Sequence, residues 1–322
     1  MAHDFDLGQP PRSSGASRSV RERVLNYGLS TPLTGVFTYS PDHLRADSPC
    51  VVVLNAGVVR KSGPNNLNAF LARQFAHQGF GTFRFDFAGV GDSPNRQDTL
   101  PLKQGVLQDV TETLDALESL VGARRFVIVG LCSGADNGLR AARVEARRVV
   151  GLAMIDPTVF RTWKWRFVKI ANRLRSSDFW ARLVTFRHRM IRVAFDPLLA
   201  LVGGARDPVQ VVEEPELYNI GLQNRDEIED CLREVRDDGV ALCFAFTGGW
   251  AELYNYRNQL YDVYPGLGLK GSVELLYFPA ATHTFALAED RHALATNLLR
   301  WLEQIEATPH VRPEAMAAVA PH

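Results

Sequence analysis

Residues 130–134 read Gly-Leu-Cys-Ser-Gly and follow the apolar run Arg125-Phe-Val-Ile-Val129. A strand that turns sharply into a helix exposes the side chain at its apex. It needs small residues two positions before and two after that apex, because the chain passes close to itself there. Centred on Cys132, the small positions are Gly130 and Gly134. Centred on Ser133, the bulky Leu131 would fill one of them. The spacing therefore predicts Cys132 at the tip and Ser133 one step into the helix. The Ser133 N–H would then face a developing oxyanion, and the helix N-terminus would favour a thiolate at Cys132. A thiolate that attacks an acyl carbon forms a thioester, which keeps much of its acyl-transfer potential.

The elements needed to position this turn are present. Strand-like and helix-like segments alternate from about residue 20 to residue 157. Helical segments with irregular links fill 158–236, and the alternation resumes to residue 307. The pattern predicts a mostly parallel sheet covered on both faces. The expected organisation is a core of 19–157 and 237–307, interrupted by a helical cap at 158–236, with disordered tails at 1–18 and 308–322.

Four segments, in this order, resemble the α/β-hydrolases. Leu54–Asn66 occupies the place of the family's oxyanion loop, and Asp86, Gly89, Gly91 and Ser93 are similar to its D-x-x-G-x-G-x-S turn. Gly-Leu-Cys-Ser-Gly is in the nucleophile position. Pro279–Phe285, followed by the Leu298–Leu302 helix, matches the catalytic histidine segment, with His283 as base. The resemblance implies an α/β-hydrolase fold with the order nucleophile, acid, histidine. It places the acid in the loop Gly248–Tyr256, whose one carboxylate is Glu252; Asp156, at the end of "GLAMIDP", is the alternative. The oxyanion hole would combine the N–H of Ser133 with one from the Ala56-Gly57-Val58 turn, and Asp86 would hold its own turn. Within the fold, G-x-C-x-G resembles dienelactone hydrolases, polyhydroxyalkanoate synthases, carrier-protein aminoacyl transferases, and hydrolases found with bacterial exopolysaccharide genes.

Composition narrows the function. With 36 basic and 36 acidic residues the formal net charge is zero, so the chain as a whole is not built to hold nucleic acid. The cysteines at 50, 132, 231 and 243 form neither a CxxC pair nor a metal-like cluster, so reduced thiols in the cytoplasm are expected. No apolar stretch approaches the roughly 20 residues of a membrane span. One segment departs from neutrality: 161–192 holds ten Lys/Arg and one acid among six aromatic residues. It is a candidate docking face for something acidic with an apolar tail, an acyl carrier protein or an anionic membrane surface. The expected activity is ester or thioester hydrolysis through an acyl-cysteine, without metal or organic cofactor. The alternatives are acyl transfer between carrier proteins or to another acceptor, and a non-catalytic binding protein on a hydrolase core.

Overall fold

The computed structural model describes residues 19–45, 47–175 and 224–307. The expected tails, and residues 176–223 of the expected cap, lie outside the described residues.

Eight strands form one sheet: β1 Arg21–Tyr27, β2 Leu33–Tyr39, β3 Cys50–Leu54, β4 Thr82–Asp86, β5 Phe126–Leu131, β6 Val149–Ile155, β7 Ala241–Thr247 and β8 Glu274–Phe278. Their order is β1-β2-β4-β3-β5-β6-β7-β8. The β1–β2 and β2–β4 pairings are antiparallel. All others are parallel. Parallel strands buried on both faces read as continuous apolar runs, which is why Cys50–Leu54 and Phe126–Leu131 carry no polar alternation.

Side chains on a strand alternate faces, so the central strands feed two separate cores. Val52, Ile128, Leu152 and Phe244 join the core under α2 (Leu102–Val121), α3 (Ser133–Val144) and α5 (Arg225–Asp237), to which the short α6 (Gln259–Val263) adds Leu260 and Val263. Val51, Val53, Val127, Val129 and Ala153 join the core under α1 (Leu67–His77) and α7 (Ala288–Ala307). Helix α5 buries Ile228, Cys231, Leu232 and Val235, the i, i+3, i+4, i+7 spacing of a core-facing helix. It lies against α3, so this part of the predicted cap is a flanking layer of the core. Helix α4 (Trp163–Arg175) differs: Trp165 is its single buried residue.

Because parallel strands all point the same way, the ends of β3, β5, β6, β7 and β8 converge on one edge of the sheet. The loops that follow them carry Gly57, Cys132, Asp156, Glu252 and His283, while Asp86 ends the neighbouring β4.

Trp301 of α7 is 4% exposed and lies over Gly151 of β6, where a Cβ would come within 3.2 Å of the indole. Truncating so large a buried ring leaves a cavity that the sheet cannot fill. Trp301→Ala should cost about 3–5 kcal/mol, read as a lower urea midpoint with an unchanged m-value.

Candidate active site

Cys132 stands alone between β5 and α3, with φ 54° and ψ −124°. A non-glycine residue in this region costs about 1–3 kcal/mol and persists only where its surroundings over-determine it. Here they do. The Cys132 N–H donates to Ile155 O at 2.8 Å, and its carbonyl accepts from the Ala135 and Asp136 N–H groups at 2.9 and 3.3 Å. A Cβ at Gly130 would overlap the Gly134 carbonyl, and one at Gly134 would sit 2.6 Å from Asn55 O. The two small positions are thus demanded by the crossing of the chain, and the residue at the apex is Cys132, which is partly exposed. Its neighbour Ser133 is buried, with its Oγ accepting from the Gly57 N–H at 2.6 Å. Ser133 latches the β3 loop to α3.

That latch alters the oxyanion expectation. The Gly57 N–H is already engaged, although its φ of 52° and lack of a side chain keep the backbone open there. Ser133, as the first residue of α3, has an N–H without an intrahelical acceptor. Val58, next along the turn, is exposed.

His283 follows β8, and its Nδ1 lies 2.8 Å from Asp156 Oδ2. Asp156 comes directly after β6, is wholly buried, and has a positive φ of 44°. Its carboxylate also accepts from the Thr247 N–H at 2.8 Å and the Thr247 hydroxyl at 2.6 Å. Three donors on one buried carboxylate hold both the acid and the imidazole in place.

Glu252, the acid preferred from sequence, is not at the histidine. Its side chain is 74% exposed and pairs with Lys169 of α4 at 2.7 Å. Its carbonyl accepts from Arg161 Nε at 2.8 Å. The physical reason is the path of the loop after β7. Gly248 and Gly249 press against the β8 loop: a Cβ on the first would overlap Pro279 O, and one on the second would overlap the His283 backbone N. The residue delivered to the imidazole is therefore Trp250, whose ring lies 4.2 Å from that of His283 at 15°. Glu252 is carried past, towards α4. The Gly-Gly-Trp run was the available signal, since adjacent glycines mark close backbone approach.

Asp86 does more than hold its own turn. It is wholly buried, and its carboxylate accepts from Lys61 N at 2.5 Å, Lys61 Nζ at 2.6 Å, Asn55 Nδ2 at 3.2 Å and Asp92 N at 3.1 Å. Asn55 and Lys61 bracket the 56–58 turn, so one carboxylate pins both ends of the loop. Sequence reasoning missed Lys61: a lysine in a glycine-rich loop reads as solvated, yet this side chain is 11% exposed. The pair with Asp86 keeps its ammonium charged against the desolvation that burial brings.

Asp136, in the first turn of α3, accepts from the Thr158 N–H at 3.0 Å and the Thr158 hydroxyl at 2.6 Å. Burial pushes its carboxyl up from 3.8 to about 6. Among the described residues, no three His, Cys, Asp or Glu side chains are grouped to hold a metal ion. Nor is any helix among them long and apolar enough to cross a membrane.

A family model described as the alpha/beta hydrolase fold matches residues 51–210. No curated protein matches the chain by sequence. Among solved structures, an esterase from Pyrococcus furiosus aligns with a TM-score of 0.56 at 12% identity, over 94% of this chain and 100% of the other. Naproxen esterase (carboxylesterase NP) from Bacillus subtilis aligns at 0.53 and 15% identity, over 88% and 92%. The thioesterase domain from the curacin biosynthetic pathway aligns at 0.52 and 15% identity, over 87% and 99%.

Two stability effects follow from this geometry. Lys61→Met leaves the Asp86 charge buried without its cation and should destabilise the protein by about 3 kcal/mol or more, measured by denaturant unfolding at neutral pH. Asp136 binds its proton more tightly folded than unfolded. Its contribution is therefore fully present below 3.8 and lost as pH rises through about 6. Asp109, raised to about 6 by burial, titrates in the same window. Asp136→Asn should flatten the fall of unfolding free energy across that window without abolishing it.

Proposed function

We propose that this chain, which has the α/β-hydrolase fold, is a cysteine-dependent hydrolase of an ester or thioester that works through an acyl-cysteine intermediate. The observation that carries the reading is the Asp156–His283 pair, set on the loops after β6 and β8. Cys132 stands at the strained apex after β5 and is bonded through its own N–H to Ile155, the residue before that acid. Asp156 holds Nδ1 protonated, so Nε2 is the nitrogen free to act as base.

Nε2 takes the Cys132 thiol proton, and the sulfur attacks the acyl carbon. The oxyanion of the tetrahedral intermediate is stabilised by the Ser133 N–H and by a second donor from the 56–58 turn, where Val58 N–H is the candidate now that Ser133 Oγ occupies Gly57. The C–O or C–S bond of the leaving group breaks as His283 returns the proton to it. Water then attacks the thioester with His283 again as base, releasing the acid and restoring the thiol. Neither metal nor organic cofactor enters. A reducing compartment keeps a catalytic thiol from oxidation, so a cytoplasmic site of action is part of the proposal.

The second reading is acyl transfer, with a thiol, alcohol or amine in place of water. It is favoured by α4, where Trp163 is 74% and Phe167 50% exposed and Arg166, Arg173 and Arg175 accompany them, beside Lys164 and Lys169, which pair with Asp262 and Glu252. An acidic acyl carrier protein would complement that face. Residues 176–192 of the same basic stretch lie outside the described residues.

Incubation with an activated ester and intact-mass measurement tests the proposal. An acyl adduct should form on the wild type and on Ser133→Ala but not on Cys132→Ala. An adduct that survives Cys132→Ala overturns the mechanism, and no adduct at all favours a binding protein. Asp156→Asn should lower kcat/KM by about 10³–10⁴-fold. Glu252→Gln, which removes only an exposed ion pair, should change it by less than about threefold. Decay of the acyl-enzyme in plain buffer separates hydrolysis from transfer, which needs an added acceptor.

A further inference from the structure

We propose that Trp250 is a positioning residue for His283: its indole, stacked on the imidazole, sets the plane of a ring that Asp156 holds by one hydrogen bond. The inference deepens the hydrolase reading and rests on it. A single bond at Nδ1 fixes one point of the imidazole and leaves the ring able to pivot about that contact. A second aromatic ring parallel to it, 4.2 Å away at 15°, removes that freedom.

Three features show that this contact is built into the loop. The backbone that brings Trp250 to the imidazole has no side chain on its two preceding residues, and neither Gly248 nor Gly249 could carry one. The Gly249 N–H donates to Ala281 O at 2.9 Å, which joins the β7 loop to the histidine loop two residues before His283. The far side of the loop is also tied down. The Ala251 carbonyl accepts from Trp165 Nε1 at 3.1 Å, and Glu252 takes Arg161 and Lys169, all from α4 and its approach.

The choice of ring also points to function. The Trp250 Nε1 is buried without a hydrogen-bond partner among the described residues. Such an orphan costs free energy that a phenylalanine would avoid. What tryptophan offers over phenylalanine is the most electron-rich face, the best platform for a cation. His283 becomes an imidazolium each time it takes the thiol proton, so the indole meets a positive charge at the step where the sulfur attacks. The carboxylate of Asp156 faces the same ring from its edge.

Trp250→Leu and Trp250→Phe test the role. The leucine variant should lower kcat by about tenfold or more through lost orientation, with KM nearly unchanged. The phenylalanine variant, which keeps a planar ring, should recover most of that loss. A leucine variant with wild-type kcat, or with its whole defect in KM, overturns the proposal.

A readout independent of turnover is the emission of Trp250, obtained by subtracting Trp250→Phe from the wild type. Because an indole's emission depends on the ring packed against it, this difference signal should change in His283→Gln, which removes the stacked imidazole. A difference signal that is the same in His283→Gln as in the wild type overturns the stack. If the wild type turns over no ester or thioester, the hydrolase reading fails, and the emission experiment still decides whether Trp250 lies on His283.

Discussion

A side chain held in an unfavourable backbone conformation stays there because every relaxed path is blocked. Cys132 is in that position. Its φ and ψ are those of a glycine, yet the helix that begins at Ser133 and the strand that ends at Leu131 leave no other route between them. Gly130 and Gly134 make the crossing sterically feasible, and the bond to Ile155 O closes it. The sulfur is aimed by this constraint, and the buried runs of β3, β5 and β6 supply the stability that offsets it.

The same device recurs one strand along. Asp156 also sits at positive φ directly after its strand, and it too is over-determined, by two bonds from Thr247 and one from the imidazole. Two strained residues at the ends of adjacent parallel strands are a stored cost of about 1–3 kcal/mol each. They sit at the one edge where the parallel arrangement gathers loops. Behind them stands a buried polar frame. The Asp86–Lys61 pair pins the loop after β3, while Asp136 ties the start of α3 to the chain just beyond Asp156. Such carboxylates are tolerable in the interior because each has several donors.

The cap helix is joined to this frame through the loop after β7. Glu252 and Ala251 hold α4, and Trp250, one residue earlier, lies on His283. Glu252 is the outer anchor of a segment whose inner end touches the His283 imidazole.

Much of the site was legible because it is local. The turn at Cys132 needs small residues at fixed offsets, and five consecutive positions carry that information. The parallel sheet shows in apolar runs of strand length, and His283 stands out in its loop after a strand. The role of Ser133 and the identity of the carboxylate at His283 were not legible in the same way. Both depend on where distant backbones cross: Gly57 reaching Ser133 across 76 positions, Asp156 reaching His283 across 127. Sequence alone determined which residue types could do the chemistry and which turn would expose the thiol. Tertiary structure decided which acid meets the imidazole, because two glycines let the β7 loop pass so close to the β8 loop that Glu252 is carried beyond reach and a tryptophan takes its place.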